Sequence, residues 1–565
     1  MTTIDRTIAP TAQAEPAGSV AHASAGPGTA VVATIGAWIT TSDHKRLGRM
    51  LMVGGLIALV GIGGIGALLG FERADSGSLL ESGSIQQLFA INRVGLAFFV
   101  VLPVMLGLSV AVVPLQIGAR SLAFPRLAAA GFWAWFAGMA MVITSIASNG
   151  GPGGGTSRFV ALFISSYGVM LLGLTAIAVS LATTVLTSRA PGMNMRRIPL
   201  FSWSVLVSAL GLVLVLPVAI GTVIYLYVSY RYNRQPFDGN SGLVGFGPGT
   251  DASSNWLGFS LTQPTTFIYA LPAIGFFAEL LPLVGRKRMP KRGTMMAGIA
   301  LVGVAILGGV TQTQQTLPWT GSKLYLGDFF WDKLGHLLTY AFLFGLPVLG
   351  AVVVLMLAPM AFLGSKPKLS VPFLFAFFGF SMVLVGMLGN LLTGIEELRL
   401  LGTVFEEGAY VYICYGAILS VMGGIVHWGP KLWGRTMDPK KVAPFALLGV
   451  AATVLASLPY YIAGFADQPA DAVAFDYSGP QNLWNVLVGV GHGLMVLTVL
   501  GFLGLALQSF RKGELAGDDP WDGQTLEWAT SSPPPVNNFS TMHSVASAEP
   551  LVDLKPAPVL LEENS

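Results

Sequence analysis

The chain has 565 residues, of which 53% are hydrophobic and only 10% are charged, whereas about 25% of the residues in a soluble globular protein are charged. The net charge of +3 is small and gives no electrostatic basis for a nucleic-acid partner. The single cysteine, Cys414, excludes an intrachain disulfide, and we interpret it as inert packing in an apolar helix. The composition therefore predicts an integral membrane protein whose first partner is the lipid bilayer.

The apolar residues fall in twelve runs of the length, about 20 residues, that an α-helix needs to cross the hydrocarbon core. Lipid cannot hydrogen-bond a bare backbone, so runs of this length form helices and a β-barrel is excluded. The predicted fold class is all-α, a polytopic membrane protein with spans near 50–70, 88–113, 127–148, 160–187, 202–228, 256–284, 295–315, 335–359, 371–393, 408–428, 443–465 and 483–508.

Two tails flank the spans. Residues 1–42 are rich in Ala, Gly, Thr and Pro and predict a disordered tail, residues 43–512 form the twelve-helix domain, and residues 513–565 predict an extended or disordered tail. Basic residues are concentrated in the loops after the even-numbered spans, as in the segment 286–292. The positive-inside rule then places both termini in the cytoplasm, and we expect a multi-pass protein of a prokaryotic plasma membrane.

Four motifs in chain order resemble segments of one protein family. They are DHKRLG at 43–48, VPLQIGAR followed by AFPR within 113–126, WGPKLWGR at 428–435, and TLEWATSSPPP at 525–535. Each is similar to the corresponding segment of subunit I of the haem-copper oxidases, the cytochrome c oxidase subunit I family. The resemblance implies that family's twelve-helix fold, a place in a respiratory electron-transport complex with other membrane subunits, and reduction of oxygen at a haem–copper pair that a second haem supplies with electrons.

The resemblance fails at the metal ligands. Six histidines hold the family's three metals, because imidazole suits both haem iron and copper. By the resemblance, the haem-ligand position of the second span is Asn92, and those of the tenth span are Gly408 and Tyr410. The copper-ligand positions are Gln263, Gln312 and Thr313. We therefore predict no catalytic residue, no haem and no copper in this chain.

The histidine count points the same way. The chain has six histidines, of which three lie in the tails or before the first span. The others are His336, His427 and His492, and three residues cannot supply six ligands. His336 and His492 are both expected in the outer half of the membrane, either as separate structural histidines or as a pair that shares a ligand or proton. His427 is interpreted as an interfacial residue at the cytoplasmic headgroups.

Polar residues at the family's ligand positions form a candidate polar core of Asn92, Gln263, Gln312 and Tyr410. Buried amides must find hydrogen-bond partners, so a hydrogen-bonded plug is one interpretation. A cavity for a small ligand or quinone is the other.

Charged residues near span ends also have two interpretations each. Glu279 is expected to form a helix-end ion pair with Arg286 or Lys287, with a proton carrier as the alternative. Glu406 and Glu407 favour the positive N-terminus of the tenth span, or they form an acidic rim for a cation or partner. Arg93 is expected to extend towards the outer surface.

Three functions are left open. The first is a catalytically degenerate subunit I paralogue, a pseudoenzyme with a structural or accessory role in a respiratory complex. The second is an active terminal oxidase with altered ligands that uses cytochrome c or quinol. The third is a transporter or ligand-binding membrane protein that reuses the vacated core.

Overall fold

The computed structural model describes residues 36–74, 80, 82–151, 154–232, 237–238, 242–243, 267–311, 330–470, 472–473, 475, 480–539, 541 and 544–554. The chain divides into two compact units, residues 1–41 and residues 42–565. In the first unit, residues 36–39 form one helical turn. The second unit contains all the membrane helices.

The twelve predicted spans are confirmed, because the described residues contain twelve helices of sufficient length and apolarity to cross a membrane. We number them in chain order. They are α1 His44–Ala74, α2 Gln87–Gln116, α3 Pro125–Ala147, α4 Ser157–Thr187, α5 Leu200–Arg231, α6 Ile268–Gly285, α7 Arg292–Val310, α8 Leu337–Ala361, α9 Val371–Thr393, α10 Val404–Trp433, α11 Pro439–Phe465 and α12 Gln481–Lys512.

Several spans are composite. The second combines an α-helix over Ser82–Gly95, a wider π-helical turn over Leu96–Val101 and an α-helix over Leu102–Gln116. The eighth has the same pattern, with a π-helical turn at Ala341–Gly345 after the helix Phe330–Tyr340. The remaining short elements are 3-10 turns at Met195–Arg197, Glu396–Leu398 and Leu526–Ala529, a helical turn at Pro550–Leu554, and two-residue antiparallel strand pairs at Gly150–Gly151 with Gly154–Gly155 and at Phe237–Asp238 with Gly242–Leu243.

Three helices form the centre of the bundle. The most apolar windows of α2, α10 and α6 are 100%, 94% and 89% buried, against 39–61% in the other nine spans. A helix that is apolar on all sides is stable only when other helices or lipid surround it. These inner helices include three of the ligand positions that the resemblance indicated, Asn92 on α2 and Gly408 and Tyr410 on α10.

Glycines bring neighbouring helices into close contact. A Cβ on Gly131 of α3 would lie 2.6 Å from the Gly173 carbonyl oxygen of α4, and a Cβ on Gly173 would lie 2.5 Å from the Gly131 oxygen. Gly298 of α7 and Gly350 of α8 form a second such pair. Helices in lipid associate through close packing rather than through a hydrophobic driving force. Because glycine has no side chain, the two backbones can approach closely at these crossings, and this packing stabilises the pairs.

The beginning of α1 and the ends of α2 and α10 meet at one face of the bundle, which we call the tail face because residues 513–539 cover it. His44 contacts the Val110 carbonyl oxygen through Nδ1 and Asn538 Oδ1 through Nε2, both at 3.0 Å. The Gln116 amide donates to Glu527 Oε1 at 3.1 Å, and Trp428 Nε1 donates to the same oxygen at 3.3 Å. The four sequence motifs therefore converge in space.

Lys431 fixes the C-terminal segment to α10. Its buried ammonium donates to the carbonyl oxygens of Asp518 at 2.8 Å and Thr530 at 2.6 Å, and to Ser532 Oγ at 3.0 Å. Residues 513–539 pack on the helix ends and include the 3-10 turn Leu526–Ala529. Sequence analysis did not predict the packing, because it depends on acceptors about 100 residues from Lys431.

We predict that Lys431→Met detaches this segment. The substitution keeps most of the side-chain length but removes a charged donor, and hydrogen bonds to charged groups are worth roughly 1.5–3 kcal/mol. We expect a loss of at least about 2 kcal/mol in thermal unfolding in lipid nanodiscs and faster proteolysis after residue 512. Lys440→Met, at an exposed position of α11, is the matched control. Equal protease resistance of the two variants would contradict the role of Lys431.

Candidate functional site

A polar cavity lies at the opposite face, which we call the far face, among the ends of α1, α2, α9, α10 and α11 and the middle of α12. The space that the centres of water molecules can occupy in it is about 40 Å³, which is room for about three waters. Its polar lining includes Arg73, Asn92, Arg93, Asn390, Glu406, Glu407, Tyr410, Tyr460 and His492. The cavity therefore suits water rather than a large organic group.

A buried ion pair forms one wall of this far-face cavity. Arg73 is 2% exposed, and its two terminal nitrogens donate to the two carboxylate oxygens of Glu407, each at 2.8 Å. Tyr460 supplies a further hydroxyl 2.5 Å from the guanidinium, and the guanidinium lies 4.5 Å from the centroid of the Phe89 ring. Bidentate pairing and stacking together satisfy a cation that would otherwise be very costly to bury.

Residues of α2 and α10 meet on the next wall. The Tyr410 hydroxyl donates to the Arg93 carbonyl oxygen at 2.7 Å. Asn92 lines the cavity beside it. Two members of the candidate polar core, Asn92 and Tyr410, therefore border the same space. Gln263 and Gln312, the other two, lie outside the described residues, as does Thr313.

His492 of α12 completes the lining and is buried against α10. Its Nδ1 lies 2.6 Å from the Tyr415 hydroxyl, so one ring nitrogen is already engaged in a hydrogen bond. His336 lies in the helix Phe330–Tyr340, but its side chain is outside what the structure describes. The proposed pairing of His336 with His492 stays a prediction. Cys414 is fully buried and has no disulfide partner.

The structure corrects the interpretation of Glu279. Its Oε2 accepts the backbone N–H groups of Leu200 at 2.6 Å and Phe201 at 3.2 Å, so it caps the N-terminus of α5. Lys287, one of its two expected partners, instead donates to the Leu363 carbonyl oxygen. A helix N-terminus offers orphan N–H donors and a positive dipole end, which sequence spacing within α6 does not reveal.

His427 is also corrected, because it is not an interfacial residue. Its side chain is 3% exposed and lies against the rings of Trp428, Trp521 and Trp528, with centroids 5.0–5.7 Å away. The C-terminal segment covers the histidine, and that covering was not predicted from the sequence.

Glu406 and Glu407 differ from each other. Glu407 pairs with Arg73, whereas Glu406 Oε2 accepts the Gly402 N–H at 3.3 Å. Both residues line the far-face cavity. Neither expected role, at the helix N-terminus or in an acidic rim, accounts fully for their contacts. Arg93 is half-buried in the lining rather than extended to the surface.

The sequence analysis missed Arg73, Tyr460 and Asn390 as site residues. The predicted first span ended at residue 70, whereas α1 continues to Ala74. An arginine placed in a loop needs no partner, but one in the last turn of a buried helix does. An acidic residue at the start of another span is the sequence signal for such an arginine, because a carboxylate can neutralise a buried guanidinium. Here that acid is Glu407 in the first turn of α10.

Within the described residues, no three His, Cys, Asp or Glu side chains are grouped as a metal site. The copper-ligand positions 263, 312 and 313 lie outside the described residues.

Comparison with known proteins identifies the family. Residues 46–503 match the model of the family described as cytochrome C and quinol oxidase polypeptide I. The chain belongs to this family. It is 28% identical over 538 residues to cytochrome c oxidase subunit 1 of Bacillus subtilis, covering 91% of this chain and 82% of that protein. It is 26% identical over 541 residues to quinol oxidase subunit 1 of the same organism, covering 92% and 80%.

A solved haem-copper terminal oxidase dimer has the same fold. Its TM-score is 0.56 at 12% identity, with 86% of this chain and 85% of that chain covered. The predicted family and fold class are thus confirmed, and the chain is a multi-pass membrane protein of an oxidase family.

The ion pair in the far-face cavity gives a stability prediction. Arg73→Leu leaves the Glu407 carboxylate half-buried without its cation, and breaking such a pair costs about 3–5 kcal/mol. The double variant Arg73→Leu/Glu407→Leu should lose less than Arg73→Leu alone. Thermal unfolding of the four forms of a double-mutant cycle measures the coupling.

Arg288→Leu removes an exposed arginine that pairs with Asp553 at the surface. It is the matched control, because surface ion pairs contribute little. Additive losses across the cycle would show that Arg73 and Glu407 do not depend on each other.

Proposed function

We propose that this chain is a catalytically degenerate subunit I that keeps the scaffold of the oxidase family and acts as a structural or accessory subunit of a respiratory membrane complex. On this proposal it binds neither haem nor copper and does not reduce oxygen itself. The observation that carries the proposal is the set of side chains at the far ends of α2 and α10.

Those side chains fit haem poorly. The ligand position on α2 holds Asn92, an amide, and its neighbour Arg93 lines the same space as a long cation. On α10 the Tyr410 hydroxyl donates to a backbone carbonyl oxygen, and Gly408 has no side chain. The far-face cavity has room for about three waters, whereas a porphyrin macrocycle is many times larger. The residues at these positions therefore do not fit a haem.

The side chains at the copper-ligand positions are poor copper ligands. Gln263, Gln312 and Thr313 offer amide and hydroxyl oxygens, whereas copper in proteins favours imidazole and sulfur ligands. Three histidines on or beside later spans also fall short of the six that the family uses. Of these, His427 packs edge-on or tilted against tryptophan rings and His492 is hydrogen-bonded to Tyr415.

The tail face supports a role for the chain as a scaffold. Its buried hydrogen bonds join α1, α2, α10 and the C-terminal segment without any group from the far-face cavity. A chain can therefore keep the family's external surface, and with it contacts to other subunits, after losing its metal ligands. The positive-inside rule places the tail face in the cytoplasm.

Neither alternative function gains support from the cavity. An active oxidase with altered ligation needs protein donors directed at an iron, and Tyr410 is already engaged. A quinone or other organic ligand needs a site far larger than about three waters.

We expect purified full-length protein to contain no stoichiometric haem. The measurement is the optical spectrum of the reduced protein together with metal analysis for iron and copper. An intact subunit I from the same host, purified in the same way, is the control for cofactor loss. Stoichiometric haem with oxygen consumption would overturn the proposal.

The accessory role is tested separately. An affinity-tagged chain, extracted in mild detergent, should carry other respiratory membrane subunits in native mass spectrometry. Lys431→Met, which is expected to detach the C-terminal segment, should reduce that yield, whereas Arg73→Leu should reduce it only as far as it reduces stability. A chain that is always recovered alone would contradict the accessory role without restoring an oxidase.

A further inference from the structure

A second, smaller cavity lies at the tail face beneath the C-terminal segment. Its volume for water centres is about 20 Å³, enough for about one water molecule. The charged and titratable side chains that line it are Glu279 of α6, Arg292 of α7, His427 of α10, and Glu527 and Glu549 of the C-terminal segment. We call it the tail-face cavity. It belongs neither to the far-face cavity nor to any ligand position of the family.

Four polar atoms in this lining have no hydrogen-bond partner among the described residues. They are Arg292 Nε, His427 Nδ1, Gln524 Oε1 and Glu527 Oε2. Buried polar atoms are seldom left without partners, and here four of them border one space. Two are acceptors, one is a donor, and the histidine nitrogen is either, depending on its tautomer. A water molecule, which both donates and accepts, matches this set.

The charges in the cavity do not balance. Arg292 faces Glu549 at 3.7 Å, which leaves the carboxyl groups of Glu279 and Glu527 to repel each other. Glu279 Oε2 already accepts the two backbone N–H groups at the start of α5, which makes it a poorer site for a proton than the free Oε2 of Glu527. Lys431 also attracts Glu527, but its ammonium is already hydrogen-bonded to backbone oxygens and lies 5.2 Å from the Trp528 ring centroid.

Glu527 is the group that can relieve the repulsion. It is 1% exposed, and burial raises the pKa of its carboxyl group above the ordinary value of 4.5. Its Oε1 already accepts from Gln116 and Trp428, whereas its Oε2 points into the cavity without a partner. A proton on Oε2 becomes a donor to a water molecule, and that water can donate onward to Gln524 Oε1.

We propose that the tail-face cavity is a proton-binding site, in which one proton from bulk water rests on Glu527 Oε2 and one bound water links it to the facing polar atoms. A metal cation fits less well, because the Arg292 guanidinium faces the same space and Arg292 Nε needs an acceptor. The proposal is independent of whether the chain binds haem.

The proton also fixes the pH dependence of the C-terminal segment. The raised pKa means that the packed state favours protonated Glu527. Its stabilising effect is complete below pH 4.5, the ordinary value, and is lost as pH rises through the raised pKa. The deprotonated carboxylate then faces Glu279, while Arg292 is paired with Glu549 and Lys431 is hydrogen-bonded to backbone oxygens, so the segment should loosen at high pH.

Infrared difference spectroscopy of the full-length protein in nanodiscs tests the site. We expect a protonated carboxyl band that shifts on 13C-glutamate labelling and disappears only above pH 4.5. Glu527→Gln should remove the band. Glu514→Gln, an exposed acid in the same segment, should leave it unchanged. Hydrogen exchange of residues 526–539, corrected for intrinsic rates, should increase with pH in the parent protein and not in Glu527→Gln.

Three results would overturn the proposal. They are a parent spectrum without such a band, a band that persists in Glu527→Gln, and a titration that moves when sodium or potassium replaces a large organic cation. The last result would identify a metal-cation site. If Glu527→Gln does not fold, the spectra of the parent protein and of Glu279→Gln test the proposal instead. In Glu279→Gln the negative charge is removed, but the amide oxygen can still accept the N–H groups at the start of α5. If Glu279 repels Glu527, removing the charge at position 279 lowers the pKa of Glu527, so the band of Glu279→Gln should disappear at a lower pH than the band of the parent protein.

Discussion

The fold depends on satisfying a small number of buried polar groups at the tail face. Lys431 is buried, so its ammonium must find acceptors inside the protein, and it finds them on the C-terminal segment. His44 and Gln116 reach the same segment from α1 and α2. Because unsatisfied polar groups are costly in a low-dielectric interior, this segment acts as the common partner that holds three helix ends in register.

The far face obeys the same constraint with different groups. Arg73 and Glu407 satisfy each other, and Tyr410 bonds to the backbone of α2. The two faces share no hydrogen bond among these groups, so changes at one need not disturb the other. On the proposed function, this separation explains how a chain can keep the fold of an oxidase family while differing from it at the ligand positions that the resemblance indicated.

The sequence predicted the helices well because hydropathy and length are local properties of each span. It predicted the family because the tail-face motifs are contiguous in the chain. It failed for Glu279 and His427, whose environments are set by Leu200 and by Trp521, more than 75 residues away in each case. For Arg73 the error was a span boundary four residues short, which turned a buried cation into a loop residue.

On the proposed function, loss of the cofactors required several correlated changes. Removing one ligand from a haem site leaves a large space, and unfilled cavities are destabilising. Here the space at the far face is occupied by the long side chains of Arg93 and Tyr410 and bordered by the Arg73–Glu407 pair. Each of these groups has its own partner or lining contact. Restoring a single histidine at position 92 would therefore not recreate the site, because the remaining side chains would still fill the volume that a macrocycle needs.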